Sequence, residues 1–270
     1  MPAADTSPLV RQLLDDLDNL PSDRSTLLRV AQLAGADDTS AADVAAAAAL
    51  DPAFTERLLR MANSAYFARA TPATTVHAAV SVVGLGAVRS LALAAVLAEP
   101  TGGVALPADF WRSAATIAVC SRRAAPHVLA DEHEAFAAGL LCDVGQALLF
   151  RAAPTEYYRV AAADDLPAAE QAWCGTTHAD VSALALTAAG LPADICSAVA
   201  HHHAGSDESP LATALQVGVL LAHAVADGAV DDAEAAQIAA VSGGRITESA
   251  ARTLTLEAAG EAAAVLLGLP

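Results

Sequence analysis

Three consecutive imidazoles, His201-His202-His203, are the densest group of potential metal ligands or proton carriers in the sequence. A helix is expected here from Pro192 to His203, with Ile195, Ala198 and Val199 on its apolar face. Helical spacing then places His202 on that face, His203 at its edge and His201 outward. His202 reads as a core histidine satisfied by polar neighbours, with ligand binding as the alternative. Cys142 and His178 raise a second chemistry, because a thiolate beside an imidazole can attack a carbonyl. No oxyanion hole or orienting third group accompanies them, so Cys142 reads as a buried, inert thiol. His77, His127 and His133 are isolated and read as surface or helix-end residues.

These side chains must be positioned by helices. A short acidic helix is expected over Leu13-Leu14-Asp15-Asp16-Leu17, ending near Pro21, and another from Ser22 to Leu33 with Gly35 as its stop. Ser40-Ala41-Ala42-Asp43 resembles a capping box and opens a helix through Leu50. Asp51 is a good N-cap and Pro52 a good first-turn residue, so the pair marks another helix start. Its stripe of Phe54, Leu58, Met61 and Ala62 ends at Asn63-Ser64, whose side chains can bond backbone and fix the link to the next helix. Presentation of those hydrogen bonds to a partner is the alternative.

Two helices between Thr74 and Ala98 meet at Gly84-Leu85-Gly86, where glycine permits a tight reversal. Glu99 to Gly103 reads as a linker. Beyond it, helices are expected over Ala108–Leu129, Glu132–Phe150, Thr155–Ala163, Leu166–Cys174, Thr177–Ala189, Pro192–His203 and Pro210–Ala226, with two more near the C-terminus. The expected fold is all-α, an N-terminal helical bundle packed on a second helical bundle. The expected division is 1–100, 104–226 and an acidic helical extension over 227–270.

Composition sets further bounds. Hydrophobic residues make up 55% of the 270 positions but aromatics only 4%, so the core should consist of closely approaching helices filled by Leu, Val and Ala. A net charge of −17 without any basic run disfavours nucleic-acid binding, and the helix after Gly86 offers Arg89 alone. Every basic residue is arginine, which reads as genome composition bias. Four dispersed cysteines suggest neither a zinc ribbon nor a disulfide framework, and fit reduced thiols in the cytoplasm. The N-terminus lacks a secretory signal pattern. The apolar stretch from Arg69 to Glu99 is interrupted by Pro72, His77, Arg89 and the glycines, and reads as two buried helices without membrane insertion.

Several blocks stand in order: Leu20-Pro21, Asp51-Pro52 with Leu58-Leu59, Ala62-Asn63-Ser64-Ala65-Tyr66-Phe67, and Ala78-Ala79-Val80 before Val83-Gly84-Leu85-Gly86. They continue through Phe110-Trp111-Arg112, Ala135 to Leu141, Gly175 with His178, Leu191-Pro192 and His202-His203. Together they resemble the HDOD family, the HD-related output domains of bacterial signalling. The likeness covers roughly residues 20 to 226.

The resemblance implies an HD-superfamily-like second half and maps its metal site residue by residue. Where a histidine is common this chain has Ser113. In the paired His-Asp motif the histidine is Cys142 and the aspartate is Asp143, and a lysine often found shortly after is Gln146. His178, His202 and His203 stand at histidine positions, and His223 corresponds to a late aspartate. Serine is a poor ligand, glutamine supplies no positive charge, and cysteine suits neither magnesium nor manganese. The resemblance therefore implies a non-catalytic signalling module without a cofactor, acting through signalling or regulatory proteins. If a metal binds, zinc on Cys142, Asp143, His178, His202 and His223 is the expected form. A metal-dependent phosphohydrolase acting on a nucleotide or cyclic dinucleotide is the first alternative, and a small-ligand receptor without turnover the second.

Overall fold

The computed structural model describes residues 25–36, 38–67, 71–97, 106–107, 109–203, 209–266 and 269. The expected Leu13–Leu17 helix, the Leu20-Pro21 block and the Glu99–Gly103 linker lie outside them. Among the described residues all regular structure is helical.

The helices before the linker are α1 (Ser25–Ala34), α2 (Ala41–Ala48), α3 (Pro52–Ala62), α4 (Val76–Val83) and α5 (Leu85–Leu97). Ser40 and Asp43 form the expected capping box of α2, and the Asp51 carboxylate accepts from the Phe54 amide at the start of α3. Asn63 caps the end of α3 and clamps the following segment. Its amide donates to Ala73 O at 2.9 Å and its Oδ1 accepts from Ala73 N at 2.7 Å. Of the pair Asn63-Ser64, the Asn63 side chain bonds the loop from α3 to α4, whereas the buried Ser64 hydroxyl makes no hydrogen bond to a described residue. Gly84 takes φ +87°, a conformation that strains any residue with a Cβ. The chain bends there by 104° between α4 and α5.

Next come α6 (Phe110–Val128), α7 (Glu132–Leu141), α8 (Val144–Ala152), α9 (Pro154–Val160), α10 (Leu166–Cys174), α11 (His178–Ala188), α12 (Ala193–Ala200), α13 (Pro210–Asp227), α14 (Asp232–Val241) and α15 (Glu248–Leu266). Helix α6 is the axis of this half, with α7, α13 and α15 packed on it. The packing is close because glycines face it. A Cβ on Gly139 of α7 would lie 2.8 Å from Ala118 Cα, and one on Gly218 of α13 would lie 2.7 Å from Ser121 Cα. The expected small-residue core is present: one apolar cluster runs from Leu27 to Leu269, and a smaller one gathers Leu148, Leu149, Tyr157, Val181 and Ala185.

Two expected helices need correction. The segment Glu132 to Phe150 is broken at Cys142-Asp143, where the two residues form a turn between α7 and α8. The segment Pro192 to His203 stops being helical at Ala200, so the three histidines occupy a turn. The His201 Nδ1–H donates to Ser197 O at 2.9 Å and the His202 Nδ1–H to Val199 O at 2.7 Å. The imidazoles thus add a second donor to carbonyls of the last turn that already accept the His201 and His202 backbone amides.

Two helical runs, Glu132–Ala152 and Pro210–Asp227, are long and apolar enough to cross a membrane, and the bent pair Val76–Val83 and Leu85–Val96 passes the same test as a broken span. In the first two runs 72% and 61% of the most apolar window is buried inside the fold.

Candidate metal centre

Three chain segments converge on one polar cluster. Asp143 comes from the turn between α7 and α8. It stands at the N-cap of α8 but its carboxylate caps no amide. Instead Oδ1 lies 3.4 Å from His178 Nε2 and 3.6 Å from His202 Nε2. Thr177 and Asp180 form a capping box that seats His178 as the first residue of α11. His202 and His203 come from the turn after α12, with ring centroids 4.0 Å apart.

The donor atoms of Asp143, His178, His202 and His203 all lie within 4.8 Å of one another. His178 Nε2 and His203 Nε2 are only 3.0 Å apart. His178 and His202 are buried, Asp143 is half-buried and His203 forms the solvent edge.

A buried carboxylate orients His178. Gly175, left-handed at φ +76°, turns the chain back between α10 and α11 and brings Glu170 of α10 against His178. Glu170 Oε2 accepts from the His178 backbone N–H and from its Nδ1–H, each at 2.7 Å. Its Oε1 accepts the Tyr157 hydroxyl at 2.5 Å. A proton held on Nδ1 leaves the Nε2 lone pair of His178 facing the cluster. His202 is set the same way by its Nδ1–H bond to Val199 O, and its buried Nε2 has no hydrogen-bond partner. An orphaned buried acceptor is costly unless something else satisfies it.

Electrostatics follow from this crowding. Burial alone would lower the His178 pKa, but Asp143 and Glu170 raise it to about 9. Burial alone would raise Asp143, whereas His178 and His202 hold its carboxyl well below the usual range. His203 is pushed down by lost hydration and by its two imidazole neighbours. The cluster therefore has a carboxylate and converging imidazoles, which attract a cation.

The other expected positions lie elsewhere. Cys142, adjacent to Asp143, is buried, and its thiol donates to Gly139 O at 3.3 Å. Burial pushes that thiol well above its ordinary pKa, and Asp143 adds to the shift. It is neither a thiolate nucleophile nor a member of the donor set. His223 lies on the exposed face of α13 and Ser113 on the exposed side of α6. His203 joins the cluster in place of Cys142 and His223. Gln146 faces a separate cavity. Sequence reading missed Glu170, which gives no local sign that it will be buried.

Donor identity and spacing fit a metal. A tetrahedral ion with bonds of about 2.0–2.1 Å to nitrogen or oxygen separates its ligands by about 3.3 Å. Here three of the pairs stand at 3.0, 3.4 and 3.6 Å. The expectation of a relic without a cofactor is at odds with this geometry, which gathers a donor set suited to an ion.

The whole fold has relatives among solved structures. A protein of Shewanella amazonensis SB2B, named provisionally as a phosphohydrolase, is 23% identical, with a TM-score of 0.77 over 98% of this chain and 99% of that one. An HDOD domain protein of unknown function from Geobacter sulfurreducens is 20% identical, with a TM-score of 0.68 over 96% and 95% of the two chains. A protein of Marinobacter aquaeolei VT8, named provisionally for signal transduction, is 20% identical, with a TM-score of 0.63 over 92% of this chain and 61% of that one. At these identities the likeness is one of fold. No protein of curated function matches. The HDOD domain profile matches residues 20–205, well over half of the sequence and including every residue of the Asp143 cluster, and the chain accordingly belongs to the HDOD domain family.

Proposed function

We propose that the chain is a non-catalytic cytoplasmic signalling module, acting through contacts with regulatory proteins, whose Asp143, His178, His202 and His203 centre holds one transition-metal ion of the zinc class. The observation that carries this reading is the donor count. Four protein donors within reach of one point complete a tetrahedral shell, the pattern of structural metal sites, whereas catalytic sites keep a position open for water. An ion held there would cross-link α8, α11 and the turn after α12. The exposure of Ser113 and His223, and the bond that turns the buried Cys142 thiol to Gly139 O, add support, because these side chains add no further donor to the Asp143 group. The family resemblance and the name of the Marinobacter protein support a signalling role.

A second reading, a metal-dependent phosphohydrolase acting on a nucleotide or cyclic dinucleotide, is favoured by one observation. His203 is exposed, so water could displace it and open the shell.

Metal analysis of protein purified without a histidine tag, paired with a phosphodiester and cyclic-dinucleotide turnover assay, separates the two. The module reading expects about one metal ion per chain without turnover. Turnover that disappears in Asp143→Ala would establish the hydrolase instead, and absence of metal at micromolar zinc would defeat the metal assignment.

A further inference from the structure

A cavity of about 300 Å³ opens between the start of α6, α8 and α9. Phe110, Phe150, Tyr157 and Tyr158 line it, in a chain where aromatic residues are only 4% of the sequence. Among the described residues no charged side chain lines it. Gln146 is the amide in the wall. Small-molecule sites combine such an apolar, aromatic surface with a few polar groups that set orientation. Flat aromatic walls match a flat ring system. An amide offers one donor and one acceptor to a neutral polar edge. An anionic occupant would find no cation there, inside a protein of net charge −17.

The cavity also touches the buried polar chain. The Tyr157 ring forms part of its wall, while the Tyr157 hydroxyl donates to Glu170, which holds His178. An occupant that displaces the Tyr157 ring moves a hydroxyl bonded to the carboxylate that orients His178.

We infer that this cavity is the binding site for a small, uncharged, planar aromatic molecule carrying an amide-like polar edge, and that its occupancy is relayed to His178 through Tyr157 and Glu170. This gives the module a ligand input, and it does not depend on whether the centre holds metal or turns over phosphodiesters.

The test uses the full chain as purified and three probes of matched size: naphthalenecarboxamide, the corresponding naphthalenecarboxylate, and the saturated decalin carboxamide. Saturation-transfer NMR and calorimetry measure binding, and ¹⁵N signals of the His178 ring report the relay. Naphthalenecarboxamide is expected to bind about tenfold or more tightly than either comparison probe. Gln146→Leu and Ala162→Trp, the latter at an exposed residue of the cavity wall, should each weaken it by about tenfold with unchanged circular dichroism. The His178 signal should move on binding, and Tyr157→Phe should bind the probe while losing most of that movement. Equal affinity for the three probes, or undiminished binding in Ala162→Trp, would overturn the site. Binding with a stationary His178 signal would overturn the relay.

Discussion

The carboxylate of Glu170 meets the Nδ1 of His178 at 2.7 Å where neither side chain is exposed to solvent. One buried acid thus sets the tautomer of an imidazole whose other nitrogen faces Asp143 and His203. Removing the acid leaves the His178 Nδ1–H, the His178 backbone N–H and the Tyr157 hydroxyl buried without their common acceptor. Glu170→Ala should lower unfolding stability by about 3–5 kcal/mol, read from urea denaturation. Glu170→Gln should cost less and weaken metal binding about 10–100-fold, read by competition with a zinc indicator. Metal affinity equal to that of the parent would exclude an orienting role for Glu170.

The donor set separates by mutation. Asp143→Ala and His202→Ala should each reduce bound metal to a small fraction of the parent value, whereas Cys142→Ser and His223→Ala should leave it near the parent level. Replacement by cobalt gives an optical check, since tetrahedral nitrogen and oxygen ligation without thiolate lacks the sulfur charge-transfer band. A thiolate band that vanished in Cys142→Ser would restore Cys142 to the ligands.

Gly145 of α8 packs against the backbone at the start of α11. A Cβ there would sit 2.1 Å from His178 O and 2.8 Å from Ser182 N, both backbone atoms. Gly145→Ala should therefore destabilise the fold by about 3 kcal/mol or more and displace the start of α11 that carries His178. Gly260 of α15 has no neighbour within 4 Å of such a Cβ. Gly260→Ala should instead stabilise by about 0.5–1 kcal/mol. Thermal unfolding of the two variants should shift in opposite directions.

Helix α15 is fastened to α6 by Arg123, which binds Glu261 through two nitrogens and Glu257 through a third. The pairs are partly exposed, so solvent and salt screen them. Arg123→Met should cost about 1 kcal/mol at low ionic strength and speed hydrogen exchange in α15. Near 1 M salt, where the screening length is about 3 Å, parent and variant should converge. A difference independent of salt would mean that packing, and not charge, holds the helix.

Much of this protein follows from local rules. Ser40 and Asp43, Asp51 and Pro52, Thr177 and Asp180, and the glycines Gly84 and Gly175 mark helix ends through contacts within a few residues, so those ends were legible in the sequence. The family blocks were legible as well, and so were Asp143, His178, His202 and His203 as site positions, although the expected metal set names Cys142 and His223 in place of His203.

Tertiary structure decided which side chains meet. Adjacent residues in a helix point about 100° apart, so His223 falls on the outer face of α13 while its neighbours Ala222 and Ala224 are buried. In the turn between α7 and α8, the Cys142 thiol bonds back to Gly139 O while the Asp143 carboxylate meets His178 and His202. The end of α12 at Ala200, supported by imidazole bonds to its last carbonyls, swings His203 toward His178. Glu170 is buried only because α10 folds back on α11 at Gly175. Sequence by itself determined the helices, the family and the presence of a polar relic or site. Membership of the Asp143 cluster depends on the relative placement of three separate segments, a relation that no residue encodes within its own turn of helix.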